Sequence, residues 1–242
     1  MAVCNMPSTE HASLAAGEAR IKFSCFRSPK LDSFDEDAVA AQISGLSAAL
    51  VMLEKLGAAP IAPDGKLAGN AGAVCTEGIL VSRSGKPPGV VPSAADFCVV
   101  GSFDSEKWSC EYGRTSSSDC AQPTSDSPLH WASLVRAPKE FGWDHQPQYL
   151  LHGHALETED EARKLNIPIS TQETLFSTKE DTDALMELLK EFPYPANKIW
   201  IRKGHGFVIL GSSIDDVTAT LSSYKSHFSV VPPAKRARTE KK

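Results

Sequence analysis

The chain has 242 residues, 41% of them hydrophobic and 23% charged, with a formal net charge of −5. That length corresponds to one large domain or two small ones at roughly 100–200 residues per domain, and the apolar share suffices for a sizeable core, which excludes wholesale disorder. Five basic residues in the stretch 229–242 stand against Glu240, a surplus of four that leaves residues 1–228 with −9, so no nucleic-acid partner is expected.

Residues 1–20 are polar, small and unpatterned and read as a flexible tail. With neither a basic start nor an apolar run they are no secretory signal or transit peptide, so an intracellular, cytoplasmic location is expected. The longest apolar candidate, 46–60, is broken by Glu54 and Lys55, so no membrane crossing is expected. Ser33 with Glu36 makes a capping box, after which Val39, Ile43, Leu46, Leu50 and Leu53 recur at helical spacing until Gly57 and Pro60. Short β-rich pieces follow at 78–82 and 97–100, separated by a Ser/Gly/Pro loop at 84–89. Residues 101–127 read as one long loop, a length that is more often functional than idle. Pro128 opens a helix to about Arg136, and a strand is expected at 148–152. A short helix capped by Thr158 and Glu161 ends before Pro168, and Thr178 opens a longer one with Leu185, Leu188, Leu189 and Phe192 on one side. Strands at 198–202 and 207–210 flank Lys203-Gly204-His205-Gly206. A last helix from Ser213 carries Ile214, Val217, Leu221, Tyr224 and Phe228 inward. The mixing of elements without internal repeats indicates a single layered α/β domain over 21–228. The six cysteines form no CxxC pair and are expected as thiols. The Pro-rich, then basic tail at 229–242 is expected to be disordered; it reads as a nuclear-import signal or, equally, as a solvated charged terminus.

Chemistry concentrates at three places. His152-Gly153-His154 ends a predicted strand, where residues two apart point the same way and both imidazoles can converge on one ion. An H-x-H pair is often no more than surface or packed histidines, but the intervening Gly153 removes bulk where a ligand would approach. A third candidate, His205, sits between Gly204 and Gly206 at another strand end. Three imidazoles leave a position open for water or substrate, the catalytic rather than the structural pattern of zinc sites. The loop Pro123-Thr124-Ser125-Asp126-Ser127-Pro128 suits helix capping and also a phosphate, with Asp126 as a base or as a metal ligand. His130, one helical turn beyond, is expected in a supporting or packing role.

Residues 123–130, the run Leu150-Leu151-His152-Gly153-His154-Ala155 and the run from Ile201 to Gly211 together resemble the class II aldolase/adducin family. The order of its elements is matched over about 36–228, with Gly69-Asn70 and Ser84-Gly85 fitting its earlier Gly-Asn and Ser-Gly elements. The resemblance implies a three-layer α/β/α domain around a mostly antiparallel sheet, assembly as a homotetramer, and a divalent metal, usually zinc, on His152, His154 and His205. It implies Asp126 as the catalytic acid/base, and Asn70, Ser84, Gly85, Thr124 and Ser125 around the phosphate of a small sugar phosphate. The activity implied is aldolase-type cleavage of a sugar phosphate or hydroxyketone through an enediolate. Asp in place of Glu at that position also occurs in the family's sugar-phosphate epimerases, and adducin-type members illustrate a non-catalytic interaction protein. Two departures stand out. About seven residues are inserted around 141–147, and the segment between Ile169 and Thr178 is shorter than in family enzymes, leaving Glu173 as its polar candidate and Tyr224 as the only counterpart of a C-terminal tyrosine.

Overall fold

The computed structural model describes residues 22–28, 30–31, 36–116 and 122–228. The tails at 1–20 and 229–242, the capping box at Ser33, Cys4 and Cys120 lie outside the described residues. In chain order the elements are β1 Ser24–Arg27, α1 Glu36–Lys55, β2 Gly69–Cys75, β3 Gly78–Ser82, β4 Phe97–Asp104, β5 Ser109–Arg114, α2 Ser127–Trp131, α3 Ala137–Glu140, β6 Tyr149–Gly153, α4 Glu159–Leu165, α5 Lys179–Glu191, β7 Ile199–Arg202, β8 Gly206–Gly211 and α6 Ile214–Ser223. The strands form one eight-stranded sheet in the order β1-β5-β4-β3-β2-β6-β8-β7. Its pairings are antiparallel except for β1 against β5.

Alternation along the strands divides the apolar residues between two cores. Phe97 and Val99 of β4, with Leu151, Ile201 and Ile209, join Leu46, Leu50 and Leu53 of α1 and Val217 and Leu221 of α6. Cys98 and Val100 of the same strand, with Leu150, Trp200 and Val208, join Leu129 of α2 and Leu185, Leu188 and Leu189 of α5. Helix starts follow the sequence where a hydroxyl can cap. Thr158, Thr178 and Ser213 each accept a hydrogen bond from the backbone N–H three residues on, and Asn166 ends α4 in the left-handed conformation, ahead of Pro168.

The expected loop at 101–127 is corrected: β4 runs on to Asp104 and β5 occupies Ser109–Arg114. In this hairpin Trp108, Cys110 and Tyr112 do alternate with Ser109, Glu111 and Gly113, but the signal is short and set among Ser, Asp and Gly. β2, sequence GNAGAVC, carries one β-branched residue, and its strand state comes from the pairing with β3 and β6 on either side. The helical run after Pro128 continues past Arg136 through a π turn at Ala132–Arg136 into α3. Pro138 has no N–H for the carbonyl four residues back, and that carbonyl, Leu134 O, accepts instead from Gln146 Nε2 at 3.3 Å. The inserted stretch at 141–147 thus closes a gap in the helix, and its Phe141 and Trp143 rings continue the second core toward Tyr194. Cys25, Cys75, Cys98 and Cys110 are free thiols, as expected. No helix among the described residues is long and apolar enough to cross a membrane.

Gly72, inside β2, shows how tightly sheet and helix meet: a Cβ there would lie 2.5 Å from His130 Nδ1 and 3.0 Å from Leu80 O. Gly72→Ala is expected to destabilise the fold by about 1–3 kcal/mol through overpacking. Denaturant unfolding measures this, and an unchanged midpoint would contradict the close approach.

Candidate metal centre

The functional side chains come from three segments that meet at one end of the sheet. His152 is the penultimate residue of β6, and His154 follows one residue past the strand, its N–H held by Ala58 O at 3.0 Å. His205 stands in the turn between β7 and β8, closed by His205 N–H to Arg202 O at 2.9 Å. Gly204 at φ 71° and Gly206 at φ 148° supply a backbone that other residues rarely adopt. Asp126 precedes α2. Its side chain makes no capping bond and is held instead by Asn70 and Ser177, while Thr124 Oγ1 accepts from Asp126 N–H and Thr124 O accepts from Ser127. The capping reading of this loop therefore holds for Thr124 and leaves the Asp126 carboxylate to the site.

The rings of His152, His154 and His205 pack with centroids 4.8, 4.8 and 5.0 Å apart. One ligand atom from each, together with one from Asp126, lies within 4.8 Å of all the others. His152 Nε2 is 3.1 Å from His154 Nε2, close to the ~3.3 Å edge that zinc–nitrogen bonds of ~2.0–2.1 Å give a tetrahedron. Asp126 straddles two of the rings, with Oδ2 3.6 Å from His152 Nε2 and Oδ1 3.5 Å from His205 Nε2.

A divalent metal fits this donor set, because the outer nitrogens of His152 and His205 each face an acceptor of the protein. His152 Nδ1–H donates to Phe207 O at 2.7 Å, which leaves Nε2 as a lone pair facing inward. His205 Nδ1 lies 3.0 Å from Asp181 Oδ2. Asp181 in turn accepts from Arg202 Nη2 at 2.7 Å and from Thr174 Oγ1 at 2.9 Å, with both partners of the ion pair fully buried. Burial pushes His152 down to about 4 and so keeps it neutral. Burial also opposes charge on His205, but the Asp126 and Asp181 carboxylates outweigh it and raise His205 to about 9. Both carboxylates stay ionised against burial, Asp126 through the three histidines and Asp181 through His205 and Arg202. Two buried anions therefore face one guanidinium and require a further positive charge among the imidazoles.

Gly153 corrects one expectation. A Cβ there would meet Ala58 O at 2.5 Å and the Phe207 ring at 2.8 Å, so the glycine makes room for the protein's own core rather than for a ligand. Asn70, Thr124 and Ser125 are buried beside Asp126, and Asn70 Nδ2 donates to Asp126 Oδ2 at 2.5 Å. Ser84 and Gly85 adjoin through an extended crossing of chains, with Ser84 N–H on Gln122 O and Thr124 N–H on Ser82 O. His130 takes the supporting place expected of it, its Nε2 2.6 Å from Asn70 Oδ1. Glu173 lies exposed against Gly204. Tyr224 packs on the core beneath α1 and α6.

The segment 169–178 instead contributes residues that sequence reasoning missed. Ser177, fully buried at φ 63°, donates from Oγ to Asp126 Oδ1 at 3.3 Å. Phe176 lies with its ring 5.8 Å from that of His205. A left-handed serine has no sequence signature, and Asp181 was legible only as a first-turn acid of α5.

No protein-family model matches the chain, and no curated protein matches it in sequence. Solved structures do. A sugar-phosphate aldolase from Thermotoga maritima superposes with a TM-score of 0.59 at 14% identity, over 78% of this chain and 93% of its own. L-fuculose-1-phosphate aldolase from Thermus thermophilus gives 0.50 at 15%, over 78% and 91%. YgbL from Escherichia coli, whose description leaves aldolase, epimerase and decarboxylase open, gives 0.50 at 15%, over 78% and 86%. The chain thus shares the fold of these sugar-phosphate aldolases.

Asp181→Asn is expected to weaken metal binding by about 10–100-fold, the usual effect of removing a carboxylate behind a ligating histidine. It should also lower thermal stability, since Arg202 is left buried without its counter-ion. Competition with a chelator measures the affinity, and a wild-type value would mean that His205 needs no such support.

Proposed function

We propose that the chain is a divalent-metal-dependent lyase of the aldolase type, acting on a small sugar phosphate or hydroxyketone through an enediolate. The observation that carries this reading is the convergence of His152, His154 and His205 on one point with Asp126 beside them. A scaffold protein has no use for three imidazoles facing one another, two of them buried, which argues against the adducin-like alternative. The two cores on opposite sides of the sheet support the three-layer α/β/α arrangement.

His152, His154 and His205 would hold the metal, zinc by the preference of an all-imidazole set. When bound, it supplies positive charge that stabilises negative charge developing on the substrate's carbonyl and hydroxyl oxygens. Asp126 moves the proton. Held ionised and without any capping duty, it accepts a proton from a hydroxyl next to the bond that breaks and returns one to the product. Ser84 and Gly85, with Thr124 and Ser125, receive the phosphate, offering hydroxyls and backbone N–H groups at the edge of the site. Epimerisation of a sugar phosphate is the second reading: it needs the same proton transfers, and YgbL leaves that reaction open among the structural neighbours.

Activity of the metal-loaded protein on a panel of ketose and aldose phosphates and simple hydroxyketones tests the reading. Asp126→Asn is expected to lower turnover by roughly 100-fold or more while metal content stays near that of the wild type. Wild-type turnover in this variant would remove Asp126 from the mechanism, and inactivity of the metal-loaded wild type across the panel would favour a binding protein.

A further inference from the structure

The proposed mechanism makes use of the Asp126 carboxylate but leaves unexplained the buried polar chain behind it. Asn70 Nδ2 donates to Asp126 Oδ2 at 2.5 Å, and the other end of the same amide, Oδ1, lies 2.6 Å from His130 Nε2. All three residues are buried, with Asn70 4% exposed and His130 fully covered. His130 belongs to the helix that Asp126 starts, and its N–H donates to Asp126 O at 3.0 Å. The contacts therefore close a ring: Asp126 carboxylate, Asn70 amide, His130 imidazole, and one helical turn back to Asp126.

Only one assignment of hydrogens satisfies that ring. An ionised carboxylate accepts only, so the Asn70 NH2 must face Asp126 and its carbonyl must face His130. His130 then carries its hydrogen on Nε2 and leaves Nδ1 bare. Nδ1 is indeed a buried atom without a hydrogen-bond partner, pressed against the position where Gly72 lacks a side chain. Burial keeps His130 neutral, pushing it down to about 3.

We propose that Asn70, oriented by His130, is the positioning residue of the Asp126 carboxylate rather than a ligand of the substrate phosphate. This rests on the reading of Asp126 as the proton-transfer group beside a metal. The carbonyl of the amide and one of its N–H groups are already engaged inside the protein, the first with His130 and the second with Asp126, which leaves a single N–H to offer an anion. His130 acts at one remove. It holds the amide against a flip that would point Oδ1 at the carboxylate, two acceptors facing each other. Ser177 holds the second oxygen from the opposite side.

Cobalt(II) loaded into the full chain reports on this, because the Asp126 oxygens sit 3.5–3.6 Å from two of the imidazole nitrogens, and a displaced carboxylate alters the field at the ion. Asn70→Ala and His130→Ala are expected to change the visible cobalt spectrum. His130→Gln, whose amide nitrogen can replace Nε2 as donor, should restore it. In an Asp126→Asn background the same substitutions should leave the spectrum as in Asp126→Asn alone. Inorganic phosphate, titrated calorimetrically, should bind Asn70→Ala within twofold of the wild type. A tenfold or greater loss of phosphate affinity with an unchanged spectrum would overturn the proposal, as would spectral changes that persist without Asp126. Should Asn70→Ala not fold, Asn70→Ser, whose hydroxyl is too short to reach Asp126, gives the same reading. A wild type that takes up no cobalt would instead remove the metal reading, and this inference with it.

Discussion

Two imidazoles, His152 and His205, and two carboxylates lie out of water at one end of the sheet, with His154 partly covered beside them, and a buried charge left unpaired costs several kcal/mol. That requirement accounts for much of the polar interior. Arg202 enters the core from β7 to meet Asp181, Asp181 turns its other oxygen to His205, and Thr174 adds a second donor to Oδ1. On the opposite side Asn70 and Ser177 each give Asp126 a donor. The backbone yields to the same demand. Ser177 adopts a left-handed conformation, and Gly72 gives up its side chain to make room for His130. The site is thus built into the packing of the sheet and not hung on surface loops.

Antiparallel pairing makes this arrangement available. β2 pairs with β6 so that Asn70 stands opposite His152, and β6 pairs with β8 so that His152 stands opposite Val208. The turn joining β7 to β8 then brings His205 to the end where β6 finishes. Residues far apart in sequence meet because neighbouring strands run in opposite directions and end together.

Much of this could be read from the sequence where local chemistry decides. Caps at Thr158, Thr178 and Ser213, the helix begun by Pro128, and the histidines at 152, 154 and 205 all have signals within a few residues. What escaped was decided at long range. β2 is a run of glycine and alanine whose extended state depends on strands on both sides, and β5 carries only a short alternation within a polar stretch. Gly153 looked like an opening for a ligand, whereas Phe207 and Ala58, from distant segments, occupy that space. Asp181 and Ser177 flank a helix start, where acidic and hydroxyl residues are common for reasons of capping alone, so nothing nearby marked them as partners of His205 and Asp126.

The account depends on the three histidines acting as one chelating set. Elemental analysis of purified wild-type protein beside His154→Ala measures this most directly. Wild type is expected to hold about one divalent metal ion per chain, and His154→Ala, which keeps only two of the three imidazoles, to lose most of it. Equal metal content in the two proteins would contradict the site.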